Sequence, residues 1–148
     1  MNSLYVVTPP MALCAGSVLV LLMGLWTSCN VRLLVGTLLS LFVAGGVYLT
    51  MLPHPAQEAF AGMMAHDSLG AFFSIFAIAV TTLAVISSAK SAEVKSDRRS
   101  EYYSILLALA SGLIFMATAT HLLLIYLAIE TVSILSYTLA GFNREKST

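Results

Sequence analysis

Long apolar runs, separated by short polar segments, divide the chain into five stretches. They cover residues 10–26, 33–52, 69–89, 102–119 and 122–142. Most of them are close to the roughly 20 residues that an α-helix needs to cross the hydrocarbon core of a bilayer. The pattern predicts an all-α fold, a polytopic bundle of five transmembrane helices that forms a single domain over residues 1–148.

The composition narrows the functions that the chain could have and leaves the predicted fold unchanged. Of the 148 residues, 59% are hydrophobic and 9% are charged, about a third of the charged share of an ordinary soluble domain. The formal net charge is zero, so the chain has no basic excess that would attract nucleic acid. These values exclude an ordinary soluble enzyme, a disordered protein and a nucleic-acid-binding protein.

The basic residues predict the orientation of the helices. They follow the first, third and fifth stretches and are Arg32, Lys90, Lys95, Arg98, Arg99, Arg144 and Lys146. With five helices these three places lie on one side of the membrane, whereas four or six helices would divide them. Because basic loops stay on the cytoplasmic or matrix side, we expect the N-terminus outside and the C-terminus inside.

The connection after the second helix contains side chains that could bind a metal ion. They are His54, Glu58, His66 and Asp67. Their spacing matches no known ligand pattern. We therefore expect a solvated outer loop without a metal site, in which Asp67 and Ser68 cap the third helix.

Small residues in two helices predict close helix packing. They are Ala44, Gly45 and Gly46 in the second helix and Ala110, Ser111 and Gly112 in the fourth. Small side chains at an interface let two helix backbones approach closely. We interpret both clusters as structural.

One carboxylate lies inside an apolar stretch. Glu130 is near the middle of the fifth helix, whereas the other acidic residues lie in loops or at helix ends. An acidic residue at the centre of a transmembrane helix costs roughly 2.5–3.5 kcal/mol on insertion scales, so a functional role is the default hypothesis. A carboxyl group in this position can hold and release a proton, as a proton relay requires.

Three further polar side chains share the helix face of Glu130. Tyr126, Ser133 and Tyr137 lie four residues before it and three and seven residues after it, a spacing that places all four on one face. We call these four residues the polar stripe. Lipid cannot satisfy their polar groups, so the stripe must face protein or water. The alternative is that Glu130 is a neutral carboxyl that joins helices through a hydrogen bond.

The basic partner of Glu130 is not evident in this chain. No Lys or Arg lies within the five stretches. His121, which we interpret as a turn or interface residue, is about 13 Å from Glu130 along the helix axis. We therefore expect the partner to belong to another polypeptide.

The second half of the sequence resembles a known family. The resemblance rests on Asp67-Ser-Leu-Gly-Ala-Phe-Phe73, Glu101-Tyr-Tyr-Ser-Ile-Leu-Leu107, Ala117-Thr-Ala-Thr-His-Leu-Leu-Leu-Ile-Tyr-Leu-Ala-Ile-Glu130, Ser133, Tyr137 and Ala140-Gly-Phe-Asn-Arg144. These segments are similar to the N-terminal part of subunit N, called subunit 2 in mitochondria, of proton-pumping NADH:quinone oxidoreductase (respiratory complex I). Residues 67–144 carry the resemblance, whereas the first two helices match only in hydropathy and topology.

The resemblance implies proton translocation coupled to electron transfer from NADH to quinone. In this antiporter-like family a glutamate of the fifth helix, here Glu130, pairs with a lysine on a later, broken helix. Tyr126, Ser133 and Tyr137 would line or tune the site. The chain itself would bind no cofactor or metal and would catalyse nothing alone. NADH, FMN, iron–sulfur clusters and quinone would belong to partner subunits in the bacterial plasma membrane or the mitochondrial inner membrane.

The resemblance covers only part of a full subunit N. A complete subunit contains many more helices, among them those with the lysines. We expect a naturally split gene, with another chain supplying these helices, in preference to a fragment. Two alternatives remain open: a part of a related cation/proton antiporter or membrane hydrogenase, or a structural or assembly subunit.

Overall fold

Five long helices make up most of the computed structural model, which describes residues 6–26, 30–51, 57–59, 62–89 and 98–142. They are α1 (Thr8–Trp26), α2 (Asn30–Met51), α3 (Ser68–Ala89), α4 (Arg99–Thr118) and α5 (Leu122–Gly141). All five are long and apolar enough to cross a membrane. The predicted all-α bundle of five helices is therefore confirmed, and each helix begins and ends within three residues of the apolar stretch that predicted it.

The helix α4 lies at the centre of the bundle. It packs against α1, α2, α3 and α5, and nine of its residues are buried. Leu107, Ala110 and Ile114 have no exposed surface. By contrast α5 lies at the edge, on α4, and Ala128 is its one buried residue.

Hydroxyl and thiol groups join α1 to α4. Ser17 Oγ donates a hydrogen bond of 2.9 Å to the backbone carbonyl oxygen of Ser104. Three residues earlier on α1, Cys14 Sγ donates to Ser111 Oγ at 3.2 Å. Because no water is available inside a bilayer, such groups must find partners within the protein. These two contacts fix the register of α1 on α4.

Small residues allow the closest approaches between helices. A Cβ atom at Gly16 would lie 2.7 Å from Ser40 Oγ, so α1 and α2 meet there. A Cβ atom at Gly112 would lie 3.1 Å from Val132 Cγ2, where α4 meets α5. The neighbouring residues Ala110 and Ser111 are also buried. The predicted packing role of the small residues in α4 is confirmed.

The small residues of α2 divide into two groups. Ala44 is fully buried, as predicted. A Cβ atom at Gly46, however, would meet nothing within 4 Å, and one at Gly45 would make only an ordinary contact of 3.8 Å with Ile78 Cγ2. The prediction of close helix packing at Gly46 is wrong, because this part of α2 borders an open groove.

Successive helices alternate in direction, which gathers the described basic residues at one end. Gly24, near the end of α1, lies against the side chain of Ser100 at the start of α4. Arg32, Arg98 and Arg99 are at this end, which we call the basic end. The remaining basic residues, Lys90, Lys95, Arg144 and Lys146, lie outside the described part of the chain.

A short β-hairpin covers the opposite end. Strand β1 (Gln57–Ala59) pairs antiparallel with β2 (Met64–His66), and Gly62 has a φ of 84° in the intervening turn. The hairpin is held to the connection between α4 and α5, because the backbone N–H of Thr120 donates to Met63 O at 2.9 Å. The segment that we predicted as a solvated outer loop therefore contains regular structure at residues 57–59 and 64–66, and its position outside the membrane stays a prediction.

The start of α3 was predicted correctly. Asp67 Oδ1 accepts a hydrogen bond of 2.7 Å from the backbone N–H of Gly70. This bond satisfies one of the N–H groups that the first turn of a helix leaves free. Of the other predicted loop residues, His54 and the side chain of Glu58 lie outside the described residues.

Candidate functional site

Glu130 lies close to the middle of α5. Along the helix axis it is about 12 Å from the first residue and about 17 Å from the last, at 1.5 Å per residue. Its side chain is exposed on the surface of the chain. Tyr126 and Tyr137, which share its face, are 62% and 77% exposed.

The polar stripe points away from the bundle. At about 100° per residue, Glu130 lies about 160° around the helix from Ala128. Ala128 is buried against the rest of the chain, and Val132, one turn further along, contacts Gly112 of α4. The side of α5 that carries the stripe is therefore opposite the side that packs on α4.

Within the described residues, the side chains of the stripe have no hydrogen-bond or ion-pair partner. The other hydroxyls of α5 differ: those of Thr131, Ser136 and Thr138 each donate to the backbone carbonyl four residues earlier. A lone carboxylate facing lipid at mid-membrane is unfavourable. We therefore expect protein or water outside the described residues to satisfy Glu130, and the role of the stripe stays a prediction.

His121 is a turn residue, as we interpreted it. It caps the start of α5, where its Nδ1 atom accepts a hydrogen bond of 3.3 Å from the backbone N–H of Leu123. The backbone N–H of His121 donates to the backbone carbonyl oxygen of Met63 at 3.4 Å. His121 thus links the hairpin to α5 and does not reach Glu130.

Sequence reasoning missed a buried polar cluster at the hairpin end. Tyr48, His66 and Ser74 are 1%, 5% and 0% exposed. The rings of Tyr48 and His66 have their centroids 5.6 Å apart. We predicted His66 in a solvated loop, and this prediction is wrong because β2 folds it against α2. The local sequence gives no signal for this, since the contact depends on how α2, α3 and the hairpin meet.

The described part of the outer connection contains two of the four possible metal-binding side chains, His66 and Asp67. Among the described residues, no three His, Cys, Asp or Glu side chains come together closely enough to hold a metal ion. The buried polar cluster contributes a single imidazole, and Asp67 is engaged in capping α3.

The geometry defines a class, a polytopic membrane protein that carries a mid-membrane carboxylate on the outward face of an edge helix. No family model matches the chain. The chain is 34% identical over 139 residues to NADH-quinone oxidoreductase subunit N of an Anaeromyxobacter species, covering 92% of the chain and 27% of that relative. It is 30% identical over 148 residues to subunit N of Ruthia magnifica subsp. Calyptogena magnifica, covering 99% and 31%.

A third relative comes from a different complex. The chain is 26% identical over 156 residues to F(420)H(2) dehydrogenase subunit N of Methanosarcina mazei, covering 99% of the chain and 31% of the relative. The predicted resemblance to subunit N is confirmed by these relatives. It also extends through the first two helices, for which we had expected a match only in hydropathy and topology. The chain spans about three tenths of the length of the curated relatives it matches.

Proposed function

We propose that this chain forms the first five helices of a subunit N-type membrane module, in a complex that couples electron transfer from NADH to quinone to proton translocation. The observation that carries the proposal is the position of Glu130, at mid-membrane on the face of α5 opposite its packed side. The similarity to subunit N of two bacteria supports it.

Glu130 is the proton-carrying group in this proposal. Its partner is a lysine on a helix outside this chain, as the resemblance implies. An approaching ammonium group favours loss of the proton from the carboxyl group, whereas withdrawal of the ammonium favours the protonated form. A group that changes its charge in this way can take up a proton from one side and release it towards the other.

The hydroxyl groups of the stripe extend this site along α5. Tyr126 and Tyr137 lie about 17 Å apart along the helix axis, with Glu130 and Ser133 between them. A hydroxyl both donates and accepts hydrogen bonds. We propose that these groups orient water next to Glu130, so that Tyr126→Phe, Ser133→Ala and Tyr137→Phe each lower proton translocation less than a change at Glu130.

The basic end supports an orientation in the membrane. Arg32, Arg98 and Arg99 lie at that end, and basic flanks remain on the cytoplasmic or matrix side. We propose that the basic end faces inward and the hairpin outward, in a bacterial plasma membrane or mitochondrial inner membrane. NADH, FMN, iron–sulfur clusters and quinone bind to partner subunits.

The proton-carrying role is tested by proton translocation in sealed vesicles that contain the assembled complex. Glu130→Gln keeps the size of the side chain but cannot carry a proton, so we expect translocation per NADH oxidised to fall about tenfold or more, with an unchanged yield of complex. The control is Glu101→Gln, which removes an exposed carboxylate at the start of α4 and should translocate protons normally. Normal translocation by Glu130→Gln contradicts the proposal. If, in addition, Glu130→Leu lowers the yield of assembled complex, Glu130 only joins helices.

Membership in the complex is tested separately. Mildly solubilised membranes are run on a native gel, stained for NADH oxidation and probed for this chain. We expect it to migrate with a very large NADH-oxidising band that also contains the lysine-bearing helices. The F(420)H(2) dehydrogenase relative suggests a second candidate with another electron donor, and migration apart from NADH oxidation would favour that candidate, an antiporter or a hydrogenase.

A further inference from the structure

An apolar groove runs along the outside of the bundle between α2 and α3. It has a volume of about 600 Å³ and is lined mainly by α2, from Val35 through Phe42 and Gly46 to Leu49, with Ile78 and Thr82 on α3. Among the described residues that line the groove, Thr82 alone has a polar side chain, and its hydroxyl donates to the backbone carbonyl of Ile78 at 2.7 Å. The groove therefore offers a ligand hydrocarbon contacts and no free polar group.

The groove follows α2 over much of the depth of a membrane. Val35 and Leu49 are about 21 Å apart along α2, compared with a hydrocarbon core about 30 Å thick. An extended acyl chain that lies along this length needs only carbon contacts at about 4 Å, and the apolar lining supplies them. Gly46 leaves the floor open, because a Cβ atom there would meet nothing within 4 Å.

A cationic side chain lies at one end of the groove. Arg32 is one turn before Val35 on α2, so both residues lie on the same helix face. Arg32 is exposed and has no hydrogen-bond or ion-pair partner among the described residues. It belongs to the first turn of α2, where free backbone N–H groups also favour an anion. A long arginine at a helix end reaches to the lipid headgroups, and its guanidinium group binds phosphate through two parallel hydrogen bonds.

We propose that the groove and Arg32 together bind one anionic phospholipid. Its phosphate group bonds to Arg32 at the basic end, and one acyl chain lies in the groove along α2. The site requires that the helices span a membrane and that the groove faces lipid. It does not involve Glu130 and does not depend on the proposed proton translocation.

The test uses the assembled complex in lipid nanodiscs of phosphatidylcholine with a minor share of phosphatidylglycerol. A photoactivatable group on the acyl chain of phosphatidylglycerol labels nearby residues, and mass spectrometry maps them. We expect labels between Val35 and Leu49 and on α3 near Ile78, and much weaker labelling there by the same group carried on phosphatidylcholine.

Two variants separate the headgroup from the acyl chain. Arg32→Gln should lower labelling by phosphatidylglycerol about fivefold, the effect of one basic residue at a membrane surface, whereas Arg98→Gln at the same end should leave it unchanged. Gly46→Leu should abolish labelling in the groove without loss of complex, since the new side chain enters open space. Equal labelling by the two lipids, unchanged labelling in Arg32→Gln or Gly46→Leu, or a helix of another subunit cross-linked in the groove would each overturn the proposal.

Discussion

The helices α4 and α5 have the same length and pack against each other, yet they differ in almost every other respect. Both contain 20 residues. Nine residues of α4 are buried and only one of α5, although α5 is the more apolar of the two. In a membrane, apolar side chains on the outside of a bundle interact favourably with lipid, while helix interfaces contain small and polar residues. Apolarity alone therefore does not distinguish the centre of this bundle from its edge.

The polar groups of the two helices also differ. Buried hydroxyls of α4 bond to another helix of the bundle: Ser111 Oγ accepts from Cys14 Sγ at 3.2 Å, and Ser104 Oγ lies 3.3 Å from Ser17 Oγ on α1. The stripe on α5 faces outward, without a partner in the described residues. Polar residues of α4 are therefore part of the architecture, whereas we propose that the stripe of α5 meets another partner.

The largest difference in stability between α4 and α5 should appear when a leucine side chain is truncated to alanine in each helix. Leu107 of α4 has no exposed surface, whereas Leu127 of α5 is 51% exposed. Leu107→Ala leaves a cavity and should destabilise the chain by about 2–5 kcal/mol, whereas Leu127→Ala should change stability by about 0.5 kcal/mol or less. The measurement is the temperature at which half of the complex is lost in detergent, and equal losses would refute the contrast.

Replacing a glycine by leucine at the contact between α4 and α5 should destabilise the complex less than Leu107→Ala. Gly112→Leu forces a side chain against Val132, where a Cβ atom alone would already lie 3.1 Å away. Overpacking of this kind costs about 1–3 kcal/mol, and we expect a several-fold lower yield of assembled complex. Gly141→Leu, at the end of α5, is the control because a Cβ atom there meets nothing within 4 Å. If Gly112→Leu assembles as well as this control, α5 does not pack on α4 as described.

The smallest effect should come from removing one hydroxyl from the contact between α1 and α4. Ser17→Ala deletes the donor to the backbone carbonyl of Ser104, and hydrogen bonds between membrane helices are worth about 0.6 kcal/mol on average. Ser136→Ala on α5 removes a hydroxyl that bonds only to its own helix, at Val132 O. We expect a drop of a degree or two in the thermal midpoint for Ser17→Ala and none for Ser136→Ala. A larger drop for Ser136→Ala would mean that this hydroxyl also bonds to a partner in the complex.

Features with a helical repeat could be predicted from the sequence. The length of the apolar stretches defined the five helices, and the spacing of Tyr126, Glu130 and Tyr137 defined one face. The sequence also predicted the cap at Asp67, because a capping side chain bonds to a backbone group only three residues away. In each case the determining interactions are local along the chain.

Features that depend on contacts between distant segments could not be predicted. His66 is buried because β2 carries it against Tyr48, which is 18 residues earlier in the sequence. Gly46 and Gly112 both lie in clusters of small residues, yet Gly112 packs against Val132 and Gly46 borders a groove. Small residues permit close packing but do not specify the partner. For the same reason the spacing of the stripe predicted its face but not the surface that this face meets.

Photo-crosslinking can identify directly what lies opposite the polar stripe in the assembled complex. A photo-crosslinking phenylalanine analogue replaces Tyr137, which is 77% exposed on α5, and for comparison Leu83, which is 65% exposed on α3. We expect the probe at Tyr137 to cross-link to a protein segment whose transmembrane helix carries a lysine, and the probe at Leu83 to cross-link to lipid. Cross-linking to lipid alone at both positions would contradict the claim that the outward face of α5 is a protein interface.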